Sequence, residues 1–142
     1  MHVRAILDEK GRNVLTIRPD ATLHDAARML HENRIGALVV VGVNEQIKGI
    51  LSERDIINAV ARHGSDALQK TVSTVMTSNV FRCAEDATLE HVMSMMTDKR
   101  CRHIPVETDG RLGGMISIGD VVKSRIREIE FEAEEIKAYI AG

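Results

Sequence analysis

Aromatic residues are scarce in this 142-residue chain, which has two phenylalanines, one tyrosine and no tryptophan. The core is therefore expected to consist of Val, Ile, Leu, Met and Ala side chains. The shortage also disfavours single-stranded nucleic-acid binding, which relies on aromatic side chains for base stacking. A formal net charge of −2 disfavours nucleic acids more generally, because cationic side chains supply most of that affinity. We therefore expect no nucleic-acid partner.

The chain is also poor in cysteine and in long apolar runs. Its two cysteines, Cys83 and Cys101, do not stand in C-x-x-C spacing. The N-terminal segment lacks the apolar stretch of a secretory signal. No apolar run approaches the roughly 20 residues that a membrane-spanning helix needs. These features predict a cytoplasmic protein with reduced thiols and no membrane contact.

Signals of catalysis and of metal binding are lacking as well. The six histidines show no metal-ligand cluster, and no G-x-x-x-x-G-K-[ST] phosphate loop occurs. Cys101 and His103 stand two residues apart on a predicted strand and so share a face, which is a faint hint of a Cys–His pair. We expect neither an enzyme nor a metal site.

What the sequence does contain is an internal repeat. DATLHDAARMLHENRIGALVVV (20–41) aligns with DATLEHVMSMMTDKRCRHIPVE (86–107), and GILSERD (49–55) aligns with GMISIGD (114–120). Each repeat has a leading apolar stretch, a helical pattern, two apolar runs around a polar turn, and a second helical pattern. The predicted order of elements in each repeat is therefore β-α-β-β-α.

The predicted fold class is α+β. A three-stranded sheet with both helices on one face leaves its other face bare, so we expect the two repeats to pack sheet to sheet with pseudo-twofold symmetry. We assign 1–64 to the first repeat with the N-terminal segment, 65–78 to a linker, 79–126 to the second repeat and 127–142 to a C-terminal helix. The leading strands are predicted over 13–18 and 79–84.

These features resemble a pair of CBS domains, the cystathionine-β-synthase-type repeats that are also called a Bateman module. The resemblance covers about residues 3–126 and rests on V-M-T-S, D-A-T-L, R-H-I-P-V and G-x-x-S-x-x-D. It implies a regulatory protein that binds an adenosine-containing ligand (AMP, ADP, ATP, NAD or S-adenosylmethionine) in clefts between the repeats. It also implies a regulated protein partner, which the sequence does not identify. The alternative is a structural or dimerisation module that binds no ligand.

The repeated G-x-x-S-x-x-D motif carries the main predicted ligand contacts. Ser52 and Ser117 end a strand, and Asp55 and Asp120 lie in the first turn of the next helix, where free backbone N–H groups attract anions. The resemblance implies that the aspartates accept hydrogen bonds from ribose hydroxyls and that the serines contact ribose or phosphate. The same spacing is also a helix-capping box, and the two roles can coexist.

The two repeats differ at the start of their second strand. Arg102 and His103 stand where the first repeat has Gly36 and Ala37. The resemblance implies that this basic pair reaches the ligand phosphates, and a solvated surface pair is the alternative. We expect the second motif, with Arg102 and His103, to support tighter phosphate binding than a cleft lacking them.

The remaining candidate contacts are less specific than the motif residues and the basic pair. The leading-strand residues among them could contribute to an adenine slot, with plain core packing as the alternative. Arg54 and Gly119 lie inside the repeated motifs, where Arg54 could touch phosphate or face water, and Pro105 lies two residues after His103. The full set is Thr16, Ile17, Arg54, Val80, Phe81, Pro105 and Gly119.

The C-terminal segment has a heptad pattern. Its apolar residues follow one another at intervals of four and three, as in a coiled-coil seam. We expect this helix to join two copies of the chain in a homodimer, and folding back over its own domain is the alternative. The seam residues are Val122, Ile126, Ile129, Ala133, Ile136 and Ile140.

Overall fold

The periodicities of the sequence become helices and strands in the order that the repeat predicts, except for the leading strand of the second repeat. A computed structural model describes residues 1–141. Helix α1 (Val3–Lys10) precedes the first repeat. That repeat consists of β1 (Thr16–Ile17), α2 (Leu23–Asn33), β2 (Ala37–Val41), β3 (Ile47–Ser52) and α3 (Glu53–His63).

The segment between the repeats is docked on the first repeat. It contains a 3₁₀ turn at Gly64–Gln69 and the short helix α4 (Val72–Val75). Ala67 and Val72 are fully buried in the core of the first repeat, so this linker is part of the folded body. The second repeat follows with α5 (Leu89–Lys99), β4 (His103–Thr108), β5 (Arg111–Ser117) and α6 (Ile118–Ala141).

The leading strand predicted over 79–84 does not form as a strand. Within this segment Cys83 alone is bridged to β4: its N–H donates to the Pro105 carbonyl at 3.1 Å, and its carbonyl accepts from Glu107 N–H at 2.9 Å. Residues 79–82 belong to no strand. Among the described residues the second sheet therefore has two strands, β4 and β5, whereas the first has the order β1-β2-β3.

The two sheets face each other across an apolar layer. Val39 and Val41 of β2 and Ile47 of β3 are buried there against Leu112 and Met115 of β5. Each repeat has a further core of its own beneath its helices. The α+β architecture of two repeats packed sheet to sheet, followed by a long helix, is thus confirmed.

Helix α1 packs into the second repeat, although it precedes the first. Val3, Ile6 and Leu7 lie at i, i+3 and i+4 on one helical face, and all three are buried in the second core. The sequence predicts that the N-terminal segment belongs to the first repeat, whereas these residues are buried in the second. Helix α4 precedes the second repeat and packs into the core of the first. Each repeat is therefore completed by the helix that precedes the other.

Helix α6 continues well beyond the second repeat. Val121 and Ser124 anchor its beginning in the protein, but every described side chain from position 129 onward is exposed. The helix therefore does not fold back over its own domain. Its seam positions are among these exposed side chains, with Ile129 50% and Ile140 78% exposed. Within residues 1–141, no helix combines the length and the apolar character needed to cross a bilayer.

Candidate functional site: a cleft between the repeats

Both copies of the repeated motif form a reciprocal helix cap. Asp55 N–H donates to Ser52 Oγ at 3.2 Å, and Ser52 N–H donates to Asp55 Oδ2 at 2.8 Å. Ser117 and Asp120 make the same two bonds at the same distances. These bonds satisfy backbone N–H groups that the start of a helix would otherwise leave free. A ligand role of either aspartate must therefore coexist with capping.

A cavity of about 450 Å³ opens beside the first of these caps. This volume falls within the range of small-molecule sites, about 300–1,000 Å³. Both repeats contribute to its wall, so it is a cleft between them, and we call it the first cleft. It brings together most of the predicted contacts: Gly36, Ala37, Ser52, Arg54, Asp55, Val80, Phe81, Arg102 and His103.

The other predicted contacts lie outside the first cleft. Ile17 is buried in the core of the first repeat, which supports plain packing for that side chain. Ser117, Gly119 and Asp120 lie around the start of α6, at the position equivalent to the first cap, and we call that region the second cleft. The residues outside the first cleft are Thr16, Ile17, Pro105, Ser117, Gly119 and Asp120.

Arg102 and His103 share the first cleft with Asp55, the aspartate of the other repeat. The sequence predicts that the basic pair belongs with the second motif, whereas the structure places it in the same cavity as the first. The pseudo-twofold arrangement brings the start of β4 opposite the start of α3. His103 is also paired with Ser117 in the second sheet, so it lies next to the second motif as well as in the first cleft.

Several residues of the first cleft were missed by the sequence analysis. Arg100 ends helix α5 in the left-handed conformation, with φ of 53°, and the chain then enters the cleft. Lys99 Nζ lies 5.3 Å from the centre of the Phe81 ring, a cation–π distance. The run K-R-C-R at 99–102, with three cations in four residues, was the available signal. The missed residues are Ile50, Glu53, Thr77, Asn79, Lys99, Arg100 and Cys101.

His103 is half-buried at the edge of the first cleft. Burial lowers the pKa of this imidazole, and the positive charges of Lys10 and Arg102 lower it further. The carboxylates of Asp120 and Glu53 oppose this change without cancelling it. His103 is therefore a neutral side chain at pH 7, able to donate or to accept one hydrogen bond.

The second cap carries an ion pair that the first does not show. Lys10 Nζ, from the end of α1, donates to Asp120 Oδ2 at 2.7 Å and to the Met115 carbonyl at 2.9 Å. Burial alone would raise the pKa of Asp120, but the hydrogen bonds from Lys10 and Ser117 outweigh it and hold that pKa below its usual value. The carboxylate of the second cleft is thus ionised and already engaged.

Comparison with known proteins agrees with this geometry. The profile of the CBS domain family matches residues 3–62 and 72–127. The CBS domain-containing protein CBSX3, mitochondrial, of Arabidopsis thaliana is 34% identical over 96% of this chain and 70% of its own length.

Two solved structures extend the comparison to the fold. The crystal structure of the CBS-domain containing protein ATU1752 from Agrobacterium tumefaciens is 49% identical, with a TM-score of 0.84 over 88% of this chain and 99% of that one. The CBS domain pair of protein MJ0100, in complex with 5′-methylthioadenosine and S-adenosyl-L-methionine, is 26% identical, with a TM-score of 0.79 over 90% of this chain and 98% of that one. The chain therefore belongs to the CBS domain family and carries two CBS domains.

Proposed function

We propose that this CBS pair is a regulatory module that binds an adenosine-containing ligand in the first cleft and transmits its binding to a protein partner. The single observation that carries this proposal is the convergence of the cap of one repeat and the basic strand start of the other. Asp55 and Arg102 come from different repeats and line the same cavity. One ligand can therefore bridge both halves of the molecule.

The ribose would bind at Asp55. Its Oδ2 atom accepts the Ser52 N–H, while Oδ1 accepts no hydrogen bond from any described residue. Capping thus uses one oxygen and leaves the other available to a ribose hydroxyl. Asp55 is half-buried, so a hydrogen bond made there is partly shielded from water. Capping and ligand binding are compatible at this residue.

The adenine would lie against the apolar part of the same wall. Ile50, Val80 and Phe81 line the cleft and offer the flat apolar surface that a purine requires. The bound relative MJ0100 supports an adenosine moiety in this family, because its two ligands share that moiety. The charged side chains of the first cleft indicate what the remainder of the ligand is.

The charges of the first cleft favour a phosphate-bearing ligand. Four permanent cations line it, whereas two carboxylates, Glu53 and Asp55, oppose them. Arginine forks match phosphate oxygens in pairs. AMP, ADP, ATP or NAD is therefore favoured over S-adenosylmethionine, whose sulfonium is positive. The cations are Arg54, Lys99, Arg100 and Arg102.

Signalling would follow from the position of the ligand between the repeats. A ligand that contacts both repeats stabilises the relative placement in which both sets of contacts are made. A partner protein whose affinity differs between the placements would then respond to the ligand. The module needs no chemistry of its own for this role, and we propose no enzymatic activity.

The deciding experiment is calorimetric titration of the protein with ATP, AMP, NAD and S-adenosylmethionine. We expect binding of the phosphate-bearing ligands and a loss of at least about tenfold in affinity for Asp55→Asn, which weakens acceptance from ribose. Asp25→Asn is the matched control, because Asp25 lies in the first turn of α2, as Asp55 does in α3. Its N–H donates to the capping Thr22 Oγ1 at 3.2 Å. No binding by the unaltered protein, or equal affinity for Asp55→Asn, would contradict the proposal.

We also infer that the chain forms a homodimer through α6. The seam side chains Val122, Ile126 and Ile129 are each at least half exposed in one copy. Their heptad spacing fits a second helix of the same kind. Sedimentation velocity tests this inference: Ile129→Asp should yield a monomer, whereas Glu132→Lys, outside the seam, should not. A monomeric unaltered protein would overturn it.

A further inference from the structure

Helix α1 is the structural counterpart of helix α4. Val3 N–H donates to the Ala87 carbonyl at 2.9 Å, and Val72 N–H donates to the Ala21 carbonyl at 2.8 Å. Ala87 and Ala21 occupy the same position in the D-A-T-L segments of the two repeats. Val3 therefore corresponds to Val72, and the two helices enter the protein in equivalent ways.

The correspondence continues for one turn beyond the start of each helix. Leu7 lies against Gly114, and Met76, at the same distance along the chain from Val72, lies against Gly49. The two glycines are the first residues of the repeated motifs. Counted from Val3 and Val72 in the same way, Lys10 corresponds in sequence to Asn79, which lines the first cleft.

The two segments then diverge. After α4, Thr77 exchanges two backbone hydrogen bonds with Ile50, at 3.0 and 2.9 Å, and leaves the first cleft accessible. Helix α1 instead stays helical as far as Lys10. The ammonium of Lys10 bonds the carbonyl of Met115, the counterpart of Ile50, and reaches Asp120. The ammonium of Lys10 thus lies at the second cap, whereas the segment after α4, which the structure describes in full, brings no cation to the first cap.

Helix α1 is held firmly in this position. Its apolar face is buried in the second core, and Arg12 just beyond it pairs with Glu85 at 2.8 Å and with Asp8 at 2.7 Å. Glu9 accepts two hydrogen bonds from Arg127 of α6, at 2.6 and 2.7 Å. Because both flanks of Lys10 are fixed, its ammonium stays within reach of Asp120 unless the side chain itself turns away.

We propose that Lys10 is an internal competitor for the second cleft: its ammonium takes the remaining acceptor position of Asp120 Oδ2, which already accepts the Ser117 N–H, so that only Oδ1 of this carboxylate stays open to the ribose hydroxyls of an adenosine-containing ligand. The two clefts of the module then differ in affinity because of one residue outside both motifs. This inference rests on the proposed function, since it gives Asp120 the ribose chemistry assigned to Asp55. An ion pair that is partly exposed weakens a competing ligand without excluding it.

The test is a titration of isotope-labelled protein with AMP, followed by amide NMR shifts. The amides of Gly36 and Asp55 report the first cleft, and those of Gly119 and Asp120 report the second. In the unaltered protein the second-cleft amides should saturate at AMP concentrations about two- to fivefold above those of the first cleft. In Lys10→Met the saturation point of the second-cleft amides should fall about two- to fivefold, and that of the first-cleft amides should not change.

Two further variants separate competition from general effects of charge. Lys10→Arg keeps a cation beside Asp120 and should keep the second cleft weak. Lys48→Met removes a lysine outside both clefts and should leave both saturation points unchanged. Lys10 is partly exposed, so its replacement should not unfold the protein, and a denaturation curve of each variant checks this.

The possible outcomes distinguish this inference from the proposed function. Saturation of the second-cleft amides at the same AMP concentration in the unaltered protein and in Lys10→Met would overturn the competition. A shift to higher concentration would also overturn it, because Lys10 would then be a phosphate contact. If the Gly36 and Asp55 amide shifts do not change with AMP, the proposed function is overturned. If none of the four amide shifts changes, either in the unaltered protein or in Lys10→Met, this inference and the proposed function are both overturned.

Discussion

Leu7 of helix α1 lies directly against Gly114 of β5: a Cβ atom added to Gly114 would stand 2.8 Å from Leu7 Cδ2. Leu7 is fully buried, so its side chain has no free space to enter. We therefore expect Gly114→Ala to lower the free energy of unfolding by about 1–3 kcal/mol, as overpacking does in cores. Urea denaturation measures this change.

The control for Gly114→Ala is Gly119→Ala. A Cβ at Gly119 would meet nothing closer than Ser117 Oγ at 3.6 Å, and the residue lies in the first turn of α6. Alanine should be neutral or slightly stabilising there, because it favours the helix. Equal stability of the two variants would show that Leu7 can give way and that α1 is held more loosely than its burial indicates.

The two roles of Ser52 can be separated by a matched pair of variants. Ser52→Ala removes the hydroxyl that caps α3, and Thr88→Ala removes the one that accepts from His91 N–H at 3.1 Å at the start of α5. Each should cost about 1 kcal/mol of unfolding free energy. Only Ser52→Ala should also weaken ATP binding in calorimetry, since Thr88 lies outside the first cleft. An ATP affinity unchanged in both would leave Ser52 as a cap alone.

Arg102 should contribute to phosphate binding and not to adenosine binding. It lines the first cleft with an exposed guanidinium, and charged hydrogen bonds to phosphate are worth about 1.5–3 kcal/mol. Arg102→Ala should therefore weaken ATP binding about tenfold or more and leave adenosine binding unchanged. Arg111→Ala, an exposed arginine at the start of β5 outside the cleft, should affect neither. An unchanged ATP affinity for Arg102→Ala would exclude this contact.

His103 should make the protein less stable as the pH falls below about 6.5, the ordinary histidine value. Its pKa is lowered in the folded state by burial and by Lys10 and Arg102, so the unfolded chain binds the proton first. Stability is then lost between the unfolded and the folded pKa, with a slope of at most about 1.4 kcal/mol per pH unit. Denaturation at pH 7 and pH 5.5 should show a smaller loss for His103→Gln. An equal loss would exclude His103 as the source.

Much of this fold could be predicted from local patterns. The helices α2 and α5 follow from apolar residues at helical spacing, and the heptad at the end of α6 follows from spacing alone. The pairing of sheets follows from the bare face that each repeat leaves. These features depend on neighbours in sequence, and the internal repeat presents each of them twice.

The parts that were missed depend on contacts between distant segments. Val3, Ile6 and Leu7 have helical spacing, but nothing local indicates that they enter the second core. Lys10 meets Asp120 across a sequence separation of 110 residues, so no motif could contain both.

Part of the lining of the first cleft was missed for a related reason. Arg102 shares the first cleft with Asp55 because the pseudo-twofold arrangement brings the start of β4 and the start of α3 together. Lys99 and Arg100 reach the cleft because α5 ends in a left-handed turn at Arg100. The sequence does not indicate the direction in which the chain leaves this turn. These positions are set by how the repeats meet, which local patterns do not encode.

Cys101 offers a chemical measure of ligand binding that needs no altered residue. It lines the first cleft and is half-buried, whereas Cys83 is buried and burial raises its pKa to about 11. Burial also raises the pKa of Cys101, so alkylation by iodoacetamide at pH 8 should be slower than for a free thiol. Saturating ATP should slow it further by covering the thiol, and Cys83 should react only after unfolding. Mass spectrometry of the two cysteine peptides gives both rates, and a Cys101 rate that ATP leaves unchanged would show that the nucleotide does not cover this thiol.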